Sequence, residues 1–156
     1  MARVMIIDGN NLIHSDRNHL FGPASSGFDT LRKGVISVCE RVKHVLCERL
    51  VVVFDGRMAN RDAAAMSELV EVIFAAPDLT ADTVIERMVA SYENPSETLV
   101  VTSDRAVERN VLATGGQVVS CEDFLDEAAL AMQRIEGNIA KASKTIPRPT
   151  LGDFFP

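Results

Sequence analysis

No lysine occurs between Lys43 and Lys141 in this 156-residue chain, and no Gly-Lys-Ser/Thr is present anywhere. A phosphate-cradling P-loop is therefore excluded, because its lysine must reach the terminal phosphates. A phosphoacceptor receiver domain is disfavoured on the same ground, since it normally wants a lysine late in its sheet. No Gly-x-Gly-x-x-Gly follows the first apolar run, which speaks against dinucleotide binding. There is no Gly-x-Ser-x-Gly, and the last histidine is His44, too early for the chain order of a Ser-His-Asp hydrolase. The three cysteines, Cys39, Cys47 and Cys121, form no Cys-x-x-Cys pair, which argues against a disulfide framework and a zinc knuckle. Cys39 and Cys47 fall within one helical pattern and read as small core hydrophobes.

Long apolar runs are missing too. No stretch approaches the ~18 uncharged apolar residues of a membrane helix. The first apolar run meets Asp8 too soon to be the core of a secretion signal. The expectation is a cytoplasmic protein with no membrane partner. The formal charge of −6 argues against non-specific coating of nucleic acid, which needs a basic field to displace counterions. It leaves room for a local basic rim: residues 29–50 carry five Lys/Arg against three Asp/Glu, and residues 134–149 carry four against one.

At 47% hydrophobic residues, the chain has enough apolar material for one domain with a real core. Four β-rich runs stand out, at residues 4–7, 50–54, 69–74 and 99–101, with a weaker fifth at 117–119. The first, second and fourth are continuous rather than alternating, as in parallel strands covered on both faces. Glu71 gives the third run one more exposed side. Apolar residues at helical spacing predict helices over about residues 29–48, from Thr80 as N-cap through Tyr92, around Ala106, Val107 and Val111 up to Gly115, and from Phe124 to Ile139. Residues 56–68 are alanine-rich and read as loop or short helix. Such alternation implies a mostly parallel sheet of about five strands with helices on both faces.

The aspartates follow the strands. Asp8 comes after Ile7, Asp55 after Phe54, and Asp104 two residues past Thr102, while Asp82 lies in the first turn of the helix after the third strand. In a parallel α/β sheet the carboxyl ends of the strands open onto one edge, where ligands bind. Carboxylates gathered there repel one another unless a cation neutralises them, and an all-oxygen set suits Mg²⁺ or Mn²⁺. Each aspartate also has a structural reading: Asp8-Gly9-Asn10-Asn11 and Asp55-Gly56 are good turn sequences, Asp82 favours a helix dipole, and Asp104 suits an N-cap.

Asp8-Gly9-Asn10-Asn11-Leu12-Ile13-His14 resembles the opening motif Asp-Gly-Tyr-Asn-x-Ile-His of the YacP-like NYN-domain family, bacterial members of the PIN-like nuclease superfamily. Three further segments match in order: Val52-Val53-Phe54-Asp55-Gly56, then residues 70–74 leading to Thr80-Ala81-Asp82, then Val101-Thr102-Ser103-Asp104. The resemblance covers about residues 3–142, leaving residues 143–156 as a Pro-containing tail. It implies a PIN-like three-layer α/β/α fold and metal-dependent endoribonuclease activity, with mRNA, and among relatives the ribosome, as partners. Carried across, Asp8, Asp82 and Asp104 are the expected catalytic and metal-site acids, Asp55 a fourth metal-site acid, and Asn11 the residue that holds the first aspartate or a metal-bound water. The family's tyrosine is Asn10 in this chain. The alternative is a non-catalytic RNA- or ribosome-binding module of the same fold.

Arg57, Arg61, Arg105 and Arg109 lie just after the second and fourth strands, where they are candidates to clamp RNA phosphates. His14, close to Asp8, reads as a packed or surface histidine that could assist. In the tail, Leu151, Phe154 and Phe155 resemble a short clamp-docking peptide, although Arg148 stands where such peptides carry glutamine. The same residues also read as apolar groups that fold back onto the domain or a neighbouring chain.

Overall fold

The computed structural model describes residues 2–56 and 67–145, with side chains through residue 138. Strand β1 (Ala2–Asp8) leads into α1 (Gly9–Ser15) and α2 (Phe28–Leu46), then β2 (Cys47–Phe54) and β3 (Glu71–Phe74). Helix α3 (Ala81–Ser91) and a single 3₁₀ turn (Pro95–Glu97) precede β4 (Thr98–Val101). The chain continues through α4 (Arg105–Thr114), β5 (Gln117–Val119) and α5 (Cys121–Thr145).

All five strands are parallel, in the order β3-β2-β1-β4-β5. Both halves of the sheet grow outward from β1, so the strand order reverses between β1 and β4. Strand side chains alternate between faces, and the burial follows that parity. Met5, Ile7, Leu50, Val52, Phe54 and Val101 join the core shared with α1, α2 and α5. Val4, Ile6, Val51, Val53 and Val100 join a second core with α3 and α4. The continuous apolar runs are thus two interleaved cores, and the three-layer α/β/α fold follows from them.

The edges are short. β3 exposes Glu71 and buries no residue fully, as expected of a strand paired on one side. Helix ends also follow local chemistry. Thr80 caps α3 by accepting from the Thr83 amide at 3.2 Å. Gly115 ends α4 at φ 103°, a left-handed conformation that suits glycine.

Three local expectations change. Gly9-Asn10-Asn11 opens helix α1 rather than a turn. It packs so tightly on β2 that a Cβ at Gly9 would meet the Phe54 ring at 2.5 Å. Cys47 begins β2, paired with Ala2, instead of ending α2. Leu69 and Val70 precede β3, with Val70 buried but Leu69 exposed. Among the described residues no helix is long and apolar enough to cross a membrane.

Candidate active site at the carboxyl edge of the sheet

The reversal of strand order leaves a crevice beyond the ends of β1 and β4, and Asp8 is the last residue of β1. Its flanking strands make it a buried carboxylate, only 4% exposed. Thr102, just past β4 and itself buried, donates its hydroxyl to Asp8 Oδ2 at 3.1 Å. The same Thr102 oxygen accepts from the Asp104 amide at 3.2 Å. One threonine therefore fixes the first acid to the backbone of the third.

Asp104 caps α4. Its Oδ1 accepts from the amides of Ala106 and Val107 at 2.9 and 3.2 Å. The capping and acidic readings are both compatible with this geometry, since the cap uses a single oxygen. Asp82 sits in the first turn of α3, half-buried. Asp55 follows β2, and its amide donates to Asn10 Oδ1 at 2.9 Å. Asn10, where the family motif has tyrosine, thus ties α1 to the start of the Asp55 loop.

The acids feel one another. Burial pushes the Asp8 carboxyl up to about 6; the Asp82 charge pushes the same way, and so, more weakly, does Asp104. The Thr102 hydroxyl and the Asn11 backbone N–H oppose the rise. Asp82 is also raised, first by burial and then by the charges of Asp104, Glu86 and Asp55. Asp8, Asp82 and Asp104 form no ion pair among the described residues. Nor are any three His, Cys, Asp or Glu side chains already arranged as metal ligands among those residues. The acids converge as a field of negative charge rather than a closed cage.

Around them runs a polar network of which the sequence named only Asn11. Asn11 Oδ1 accepts from the Ser103 amide at 2.7 Å and from the Cys121 thiol at 3.1 Å. Ser103 donates its hydroxyl to Glu122 Oε2 at 2.8 Å and accepts from the Cys121 amide at 3.0 Å. Burial raises the Cys121 thiol, so the sulfur keeps its proton and donates. These partners are 18 to 110 residues apart, and only the fold reveals them.

Arg105 and Arg109 lie one turn apart on the exposed side of α4. Arg57 and Arg61 lie outside the described residues, as do Leu151, Phe154 and Phe155. His14 is exposed, with its ring 6.3 Å from that of Phe28. A cleft lined by Arg3, Arg49 and Tyr92 among others opens at the opposite end of the sheet.

A doubly wound parallel sheet with acids at its switch point is the architecture of the PIN-like, nuclease-type fold, and the comparisons with known proteins assign it. The chain belongs to the YacP-like NYN domain family, whose model matches residues 5–153. It is similar to YacP of Bacillus subtilis (strain 168), 25% identical over 146 residues, which span 92% of this chain and 85% of that protein. A crystal structure of a point mutant of Rae1 (YacP) from Bacillus subtilis matches with a TM-score of 0.75 and 26% identity, over 92% of this chain and 86% of that one. A second crystal structure of Rae1 (YacP) shares the fold with a TM-score of 0.75 at 24% identity, over 91% of this chain and 82% of that one.

Proposed function

We propose that this protein is a Mg²⁺- or Mn²⁺-dependent endoribonuclease that cleaves mRNA, with the ribosome as the setting in which the substrate is met. One observation carries the reading: a buried carboxylate, Asp8, lies at the switch point under the charge of Asp82 and Asp104, and no cation of the described residues pairs with it. Such a group is costly when ionised, and an external cation relieves the cost. The donors are all carboxylate oxygens, which fit a hard divalent ion held by one or two of them together with water. Asp8, Asp82 and Asp104 would hold it, with Asp55 beside them. Held there, such an ion would activate a water for attack on the phosphodiester and offset the charge on the leaving oxygen.

The chain's own groups do the rest. Thr102 orients Asp8 through its hydroxyl and so fixes which carboxylate oxygen remains available. The amino ends of α3 and α4 point their partial positive charge at the acid edge, where a phosphate would lie. Arg105 occupies the first position of α4, where a cation opposes the helix dipole. Its placement there is better explained by an RNA phosphate than by helix stability. Arg109 extends the same exposed row.

Asp104→Asn is the cleanest test. Asparagine is as good an N-cap as aspartate, so the variant keeps the start of α4 and removes only the charge. Mn²⁺-dependent cleavage of ribosome-bound mRNA, run beside a free-RNA control, is expected to fall by about 100-fold or more. Cleavage within twofold of wild type would defeat the proposal.

A non-catalytic RNA-binding module is the second reading, favoured by the absence of a ready three-ligand arrangement among the described residues. It predicts that Asp104→Asn binds RNA more tightly, through lost repulsion, while neither protein cleaves.

A further inference from the structure

The Asn11 side chain is asymmetric in its partners. Its oxygen is held twice, by the Ser103 amide from the β4–α4 connection and by the Cys121 thiol from α5. Its NH₂ group has no hydrogen-bond partner among the described residues, and the residue is only half-buried. An amide whose oxygen is claimed by two donors from separate elements has one orientation, because a flip would face NH₂ against two donors. The backing is firm: Cys121 is fully buried, and Ser103 is itself fixed by the Glu122 carboxylate and the Cys121 amide.

We infer that Cys121 is a positioning residue that, with the Ser103 amide, locks Asn11 so that its NH₂ group is presented to a phosphate oxygen of single-stranded RNA entering the acid edge. This rests on the nuclease reading for its substrate class. The lock itself is a matter of hydrogen bonding. The thiol matters as a donor and not only as a filler of space, and that distinction can be measured.

Cys121→Ser keeps a donor but places a hydroxyl among apolar neighbours, whereas Cys121→Ala keeps an apolar surface and loses the donor. If Cys121 served only packing, serine would do no better than alanine. The lock predicts the reverse. Alanine lowers kcat/KM for RNA cleavage about tenfold, and serine restores it to within about twofold of wild type. A second arm needs no turnover. The Asn11 side-chain amide resonances are followed by NMR during titration with a 2′-O-methyl oligouridine, which resists cleavage. They are expected to shift in the wild type and in Cys121→Ser, and to stay unmoved in Cys121→Ala. Equal activity losses in both variants, or full activity in Cys121→Ala, would overturn the inference. So would Asn11 resonances that ignore the oligonucleotide in the wild type. If the wild type cleaves no RNA, the nuclease reading fails, and the resonances alone decide the lock.

Discussion

At the amino end of the sheet, Arg49 donates to Glu71 at 2.6 and 3.0 Å and to the Tyr92 hydroxyl at 2.6 Å, while Arg3 reaches both Glu97 and Glu48. At the carboxyl end, Asp8, Asp82 and Asp104 gather with no ion pair among the described residues. Strand β1 contributes to both sets, Arg3 at one end and Asp8 at the other. The amino end shows that this chain can place arginines against its acids when nothing else is needed there. Among the described residues no arginine pairs with the acids of the carboxyl end, and Asp8 is more deeply buried than any acid paired at the amino end. It is on this contrast that the proposed cation site rests.

Stability against pH tests this contrast most strongly. The folded-state value for Asp8, about 6, lies above its unfolded value near 3.8, so the native state binds the proton more tightly. The contribution of Asp8 is therefore fully favourable below pH ~4 and is lost as pH rises through about 6. In metal-free buffer at pH 8, Asp8→Asn is expected to be more stable than wild type by about 3 kcal/mol, a gap that closes near pH 4. Urea denaturation at the two pH values measures it. A variant less stable at pH 8 would mean that Asp8 is not strained by its surroundings.

Metal addition comes next. Millimolar Mn²⁺ at pH 8 should stabilise the wild type by about 1–3 kcal/mol, depending on the ratio of metal to Kd. Asp8→Asn should abolish the shift in thermal midpoint and Arg3→Ala should leave it intact; an equal shift in all three proteins would place the metal elsewhere.

Asp104 then separates capping from charge. Asp104→Ala loses the acceptor for two amides and is expected to cost about 1 kcal/mol relative to Asp104→Asn. Equal stabilities by calorimetry would show that the cap contributes nothing.

The smallest effect belongs to the amino end. Glu71→Gln removes an exposed pair and should change stability by about 0.5 kcal/mol or less, with no effect on Mn²⁺ binding.

Much of this arrangement is legible in the sequence because apolar runs and the aspartates after them are local signals. Val51, Val52 and Val53 announce a strand covered on both faces, and Asp55 follows at a spacing that any reader of the chain can count. Helix α1 was hidden because Gly9, Asn10 and Asn11 all favour turns. Its stability comes from packing on Phe54 and Val52, which are distant in sequence. The strand start at Cys47 was hidden because the helical spacing of α2 runs on through it, and pairing with Ala2 decides against the helix. Thr102, Ser103, Asn10 and Cys121 carry no periodicity at all. Their roles arise from hydrogen bonds between segments that only the sheet order brings together.

Asp8 sits on the middle strand, zipped between β2 and β4. Amides inside β1, paired on both sides, can exchange with solvent deuterium only when the centre of the sheet comes apart, whereas the outer strands β3 and β5 can fray alone. The buried Asp8 carboxyl is therefore carried by the strand paired on both sides, so opening of an outer strand leaves the floor of the crevice in place.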